Sequence, residues 1–299
     1  MPAAADSGNA DGETFTRPPA IGCERHLSDE RARTEHKKGR DRQNMKTIAI
    51  INQKGGTGKT TTAREIGAGL SLKGHRVLMV DLDPQHSLTY IMGETDKGTT
   101  IADLLQQSID APQIGTAEAI RKTARGDLIA GSGNVALADT VLADVDGREY
   151  KIAEILQPIK RNYDFCILDT PPTLGTLTVN ALTAAQMAIA PAQADALSLI
   201  ALGQLQNTTA TVKRYCNPDL VFSGIVLTRY NGRAVISRDI AAKIEQAAQQ
   251  IGARLYRAKI RECTAIKEAE LLRQSIFDYA PRSNAAADYA ALVDEILTA

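Results

Sequence analysis

Seven consecutive residues, Lys54-Gly55-Gly56-Thr57-Gly58-Lys59-Thr60, have the composition of an anion cradle. Glycines let successive backbone N–H groups turn inward around phosphate oxygens, and a helix starting just behind them points its positive end at the same anion. Lys59 is then expected to reach the β- and γ-phosphates of a nucleoside triphosphate, the Thr60 hydroxyl to ligate Mg2+ and Thr61 to contact the α-phosphate. The nucleotide-binding set is therefore Lys54, Gly55, Gly56, Thr57, Gly58, Lys59, Thr60 and Thr61. The run departs from the usual G-x-x-x-x-G-K-[ST] loop, because Gln53 stands in place of its first glycine and Lys54 is an added cation.

Three carboxylates close apolar runs. Asp81 and Asp83 end RVLMVDLD two residues apart, which in an extended chain puts both on one side, and Asp169 ends DFCILD in the same manner. Carboxylates beside a phosphate loop can hold Mg2+ or orient a water for attack on the terminal phosphate. Phosphoryl transfer needs positioning and charge neutralisation more than covalent chemistry, and Lys59 and Mg2+ are the first groups to supply it. No arginine finger can be assigned from the sequence.

Strands are needed to bring these groups to one edge. From Lys46 short apolar runs alternate with helical periodicity: KTIAIIN, a helix from about Thr60 to Lys73, then RVLMVD, a β-α-β unit. Further strand-like runs are DLIAG (127–131), DFCILDT (164–170), MAIAPAQ (187–193), FSGIVLT (222–228) and RLYRAKI (254–260). Continuous apolar runs mark strands buried on both faces. The expected class is α/β: a mostly parallel central sheet flanked by helices on both sides, with ligands at the carboxyl ends of the strands. Residues 45–299 read as a single P-loop ATPase domain, with Met45 directly before the first strand. Residues 1–44 are polar and aperiodic, with basic residues from Arg31 to Arg42, and read as a disordered extension.

Composition narrows the partners. The 299 residues carry 35 basic and 35 acidic side chains, so no global field holds the chain on nucleic acid or acidic membranes, and such binding would need a local patch. No Trp and 4% aromatics argue against a base-stacking module. Cys23, Cys166, Cys216 and Cys263 are widely spaced, which disfavours a disulfide framework or zinc site. The start MPAAADSGNADGETF lacks a basic-then-apolar leader, and Gln186, Pro191, Gln193 and Asp195 interrupt the most apolar later stretch, so a cytoplasmic location is expected.

Taken together, NQKGGTGKTTT (52–62), VDLDPQ (80–85) and ILDTPP (167–172) resemble the deviant Walker ATPases, and among them the ParA/Soj partition proteins. The resemblance implies that Lys54 crosses a homodimer interface to the phosphates held by the other subunit, that Asp169 is the Walker B aspartate, and that Asp83 orients the attacking water. It gives Asp81 a supporting place behind the metal, so the implied metal set is Thr60, Asp81 and Asp169, and the catalytic set Lys54, Lys59 and Asp83. The segment Asp278-Tyr279-Ala280-Pro281 resembles an adenine-side segment, which makes Pro281 a base contact. Two stretches depart from the family: His86-Ser87 stands where relatives often carry Gly-Asn, and Lys259-Ile260-Arg261-Glu262 where many have Pro-Arg-Asn.

Basic residues gather in the last third of the chain. The family binds double-stranded DNA non-specifically through arginines in comparable segments, which implicates Arg229, Arg233, Arg257 and Arg261. The same resemblance implies ATP-dependent dimerisation, nucleoid association, slow turnover and a ParB-like adaptor that stimulates hydrolysis. A related switch that positions proteins or serves conjugation without binding DNA stays open. A MinD-type membrane role is disfavoured by the acidic ending DYAALVDEILTA, a nitrogenase iron protein by the lack of cysteines between Cys23 and Cys166, and a tyrosine kinase by the lack of a terminal tyrosine cluster.

Overall fold

The computed structural model describes residues 45–110 and 113–298, so the extension expected at 1–44 lies outside the described residues. The elements that build the phosphate site come first: β1 (Lys46–Ile50), α1 (Lys59–Leu72), β2 (Val77–Asp81) and α2 (Ser87–Ile91). Then follow α3 (Ile101–Asp110), β3 (Ile120–Thr123), β4 (Gly126–Ile129), α4 (Ala138–Val141), α5 (Lys151–Leu156) and β5 (Phe165–Asp169). The last part holds α6 (Thr176–Ala184), β6 (Met187–Ala192), α7 (Ala196–Tyr215), β7 (Val221–Tyr230), α8 (Val235–Gln250), β8 (Arg254–Arg261), α9 (Thr264–Leu271), α10 (Ile276–Tyr279) and α11 (Asn284–Leu297).

One sheet of eight strands runs β3-β4-β2-β5-β1-β6-β7-β8, and every neighbouring pair is parallel except β3 with β4. The mostly parallel α/β sheet read from the apolar runs is thus the fold observed. The strand missed is β3: its sequence IRKT is polar and half-exposed, so no apolar run announces it. It pairs antiparallel at the sheet edge, where a strand needs only one buried side.

Alternation along the strands feeds two cores. In β1, Ile48 and Ile50 face the layer that holds Ile66 and Leu70 of α1 and Tyr289, Leu292 and Val293 of α11. Ala49 and Ile51 face the opposite layer, with Leu104, Ile155, Leu182 and Leu205. Helix α1 lies close on β2 because Gly67 has no side chain: a Cβ there would stand 2.5 Å from the Met79 sulfur. The contact fixes the helix whose first residue is Lys59, so packing in the core aims the functional lysine. Among the described residues no helix is long and apolar enough to cross a membrane.

Candidate nucleotide site

The seven-residue loop joins β1 to α1 at the carboxyl edge of the sheet, between the strand ends of β5 and β6. Gly56 and Gly58 sit at φ 72° and 80°, a region that side chains with a Cβ avoid, and Gly58 caps α1. The loop is held from outside. Gln193 Nε2 donates to the Gly56 carbonyl at 3.0 Å, and the buried Thr228 hydroxyl, on β7, donates to the Thr57 carbonyl at 2.8 Å. Asn52 Nδ2 donates to the Pro191 carbonyl at 2.6 Å, while its Oδ1 accepts from the Lys54 N–H at 2.9 Å. Carbonyls are thereby turned toward the sheet, which suits a loop whose N–H groups serve an anion.

Register brings the carboxylates together. Asp81 and Asp169 are direct partners in the β2–β5 ladder, both fully buried. Neither oxygen of Asp169 has a hydrogen-bond partner. Burial, and then the neighbouring Asp81, push its pKa well above the usual carboxylate range, with the Thr60 hydroxyl and the Lys59 ammonium working against them. A buried carboxylate left in this way is costly unless a cation joins it. Lys59, only 7% exposed, faces Asp169 and Asp83, and its own pKa is lowered by burial more than those carboxylates raise it.

This donor set fits Mg2+. Asp169 and Thr60 offer hard oxygens, and among the described residues no cluster of His, Cys, Asp or Glu could hold a metal alone. A cation that shares its shell with phosphate oxygens and water needs only one or two protein ligands. Asp81, expected in the metal set with a supporting place behind the metal, makes its hydrogen bonds to protein groups. Its Oδ2 accepts from the Thr89 N–H at 2.8 Å and the Thr89 hydroxyl at 2.7 Å, and its Oδ1 from the Asp83 N–H at 3.2 Å. Both oxygens are engaged, so Asp81 braces α2 and the Asp83 turn from behind Asp169.

Burial pushes Asp81 up to about 6, against the bonds from Thr89 and Asp83. A carboxylate raised on folding adds stability that is full below its unfolded pKa and lost as pH rises through the folded one. The melting temperature of unliganded wild type, less that of Asp81→Asn, should therefore drop between the ordinary carboxylate range and pH 6 to 7, by the equivalent of about 2–3 kcal/mol. Thermal melts across that window check it. A flat difference would mean that Asp81 titrates normally.

Lys54 stands at the rim with its ammonium paired to Asp195. Asp195 also caps α7, its Oδ1 accepting from the Ser198 N–H at 2.9 Å. Burial pulls Asp195 upward, but the bonds from Lys54 and Ser198 hold it below the usual carboxylate range. Sequence reasoning missed this partner: Asp195 has the look of a helix cap, and nothing local tells that a lysine 141 positions earlier returns to it.

Beside the loop a cleft is lined by Gly58, Thr61, Thr228, Arg229, the segment Ile260 to Cys263, Ile266, Lys267, Glu270 and Tyr289. Thr61, expected at the α-phosphate, here donates its hydroxyl to Glu270 Oε1 at 2.5 Å. Pro281 is not part of the lining. It is exposed in the turn between the end of α10 and Ser283, the cap of α11, and this structural duty accounts for the proline. The four arginines differ in their surroundings. Arg229, at φ 49°, and Arg261 line the cleft, and the Arg261 guanidinium is spent on Asp288 at 2.9 and 2.6 Å. Arg233 and Arg257 are exposed on separate segments, and Arg238 stiffens the Arg233 turn by donating to the Gly232 and Arg233 carbonyls.

Residues 45–222 match the family described as an AAA domain. Over 253 residues the chain is 36% identical to the sporulation initiation inhibitor protein Soj of Bacillus subtilis, covering 84% of this chain and 98% of that one. It is 32% identical over 259 residues to the chromosome partitioning protein ParA of Caulobacter vibrioides, covering 85% and 94%. Its fold superposes with a TM-score of 0.74 on cobyrinic acid a,c-diamide synthase from Mycobacterium smegmatis with bound ATP analogue and magnesium, at 32% identity over 85% of this chain and 94% of that chain.

Proposed function

Because this chain belongs to the ParA/Soj family of ATPases, we propose that it moves DNA during plasmid or chromosome segregation, as a switch that pairs on ATP and separates on hydrolysis. The chain is an ATPase with ATP and Mg2+ as its cofactors. Residues 45–299 form the ATPase domain in this reading. The observation that carries it is the position of the two lysines: Lys59 is buried where the charge of Asp169 acts on it, while Lys54 waits at the rim on Asp195, in reach of solvent.

Within one chain the residues divide the work. The loop N–H groups and Lys59 bind and orient the triphosphate, Thr60 and Asp169 hold Mg2+, and Asp83 orients the attacking water. Mg2+, when bound, neutralises the charge that builds on the phosphate oxygens. Lys54 supplies its charge to the nucleotide of a second copy, which makes ATP part of the contact. Losing the γ-phosphate removes the charge that Lys54 meets, and the two copies part.

Pairing also doubles the exposed arginines. Each phosphate contact releases counterions, so two copies of Arg233 and Arg257 grip double-stranded DNA far better than one. A ParB-like adaptor then stimulates hydrolysis and resets the switch, on the nucleoid and without a membrane. DNA binding in ATP, ADP and no nucleotide, at several salt concentrations and with mass followed by light scattering, tests this reading. Binding should require ATP, and Arg233→Ala should weaken it severalfold while lowering the salt slope by about one per lost contact. Dimers that ignore DNA would instead favour the switch that positions proteins or serves conjugation.

A further inference from the structure

Among the described residues His86 is one of three other than glycine at positive φ, with φ 41° and ψ 39°. It ends the turn that begins at Asp83. Its N–H donates to the Asp83 carbonyl at 2.8 Å, and its carbonyl accepts from the Tyr90 N–H at 3.1 Å, so one residue closes the turn and opens α2. Its ring Nδ1 lies 3.3 Å from the Pro84 carbonyl. A carbonyl oxygen only accepts, so that contact calls for the proton on Nδ1.

Both flanks of the turn are fixed. Upstream, the Asp83 N–H is held by the buried Asp81. Downstream, α2 is fastened by Thr89 to Asp81, and by the stack of Arg273 on the Tyr90 ring, with the guanidinium 4.5 Å from the ring centre. Between these flanks lie the dihedrals from Asp83 to His86, of which the Pro84 ring fixes one, and the rest decide where the Asp83 carboxylate points. Oδ1 of that carboxylate accepts from the Gln85 N–H at 2.9 Å, which ties its direction to the closed form of the turn. Asp83 follows Asp81, which pairs with Asp169 across the β2–β5 ladder, so the turn leaves the same carboxyl edge of the sheet from which the phosphate loop rises.

We propose that His86 is a positioning residue for hydrolysis: its left-handed backbone and its ring bond to Pro84 keep the turn closed and hold Asp83 toward the terminal phosphate. The idea rests on Asp83 as the residue that orients the water. A glycine here would adopt the same φ without strain but would leave the turn free to open, because it lacks the ring and samples far more backbone states. An asparagine tolerates this backbone region and carries an amide that can donate to the Pro84 carbonyl. A valine opposes the region outright.

The test is steady-state hydrolysis at saturating Mg2+ and ATP for wild type, His86→Gly, His86→Asn, His86→Val and Asp83→Ala, each with its melting temperature and ATP affinity. The expected result is a split: His86→Gly keeps KM within about twofold and loses about tenfold in kcat, with His86→Asn restored to near wild type. His86→Val should be the slowest of the three, and if it does not fold, the glycine and asparagine variants decide. The proposal is overturned if His86→Gly turns over like wild type while Asp83→Ala is inactive. It is also overturned if His86→Asn is as slow as His86→Gly, since the ring bond then does nothing that an amide replaces. An Asp83→Ala variant with the wild-type rate would bring down the underlying reading of Asp83 instead.

Discussion

Asp83→Ala should bind ATP and Mg2+ with little change in affinity and hydrolyse ATP roughly a hundredfold to ten-thousandfold more slowly. Asp83 is half-buried on the turn after β2, and its charge acts on Lys59 and Asp169, yet the hydrogen bonds it makes go to its own turn and to Asp81. Nothing in that arrangement grips the nucleotide, so affinity should survive its loss. Alanine also removes the acceptor for the Gln85 N–H, which could loosen the turn. Asp83→Asn separates the two effects, because it keeps the shape and an acceptor oxygen while removing the charge. Single-turnover hydrolysis and equilibrium nucleotide binding, measured on both variants, decide the matter. Normal binding with a wild-type rate in Asp83→Ala would exclude the residue from the chemistry.

The second large effect concerns Lys54. In a background where turnover is blocked, ATP with Mg2+ should give the mass of two chains, and adding Lys54→Ala should return the mass to one. The present partner of Lys54 holds it only weakly. Its side chain is 24% exposed and that of Asp195 36%, and an ion pair so open to water contributes at most about 1 kcal/mol. A triphosphate offers more charge and more acceptor oxygens than one carboxylate, so the exchange runs toward the nucleotide. Light scattering over a range of protein concentrations distinguishes a lost contact from a weakened one. If the blocked protein stays single in ATP even with Lys54 intact and nucleotide bound, the switch by pairing is wrong.

Legibility from the sequence followed the physics of each feature. The phosphate loop could be read because its glycines, lysine and hydroxyl lie side by side, and strand and helix signals flank it directly. The sheet could be read because β1, β2, β5 and β6 are buried almost throughout and carry apolar runs, with polar residues only where β1 begins and β2 and β5 end. Strand β3 could not, since an edge strand is free to be polar. Contacts made only by the tertiary fold were equally silent: Lys54 with Asp195, Thr61 with Glu270, and Arg261 with Asp288 join residues far apart in the chain. The cleft shows the same limit. Thr228, Cys263 and Glu270 come to the loop from β7, the β8–α9 connection and α9, and no short motif links them. Pro281 shows a different limit, because the local motif that marks it for the base is made of residues that also serve a helix-ending turn.

Thr228 has a neighbour that makes its bond to the loop carbonyl more than a brace. The next residue is Arg229, at the start of the basic turn that runs through Arg233 into α8. The phosphate loop and that turn are therefore one peptide apart along β7, with no layer of the core between them. Any free energy that a polyanion gains by ordering the arginine turn is returned, by thermodynamic reciprocity, as tighter hold on whatever the loop cradles. Release at either site would in turn be felt at the other across that single peptide of β7, without a hinge or a domain motion.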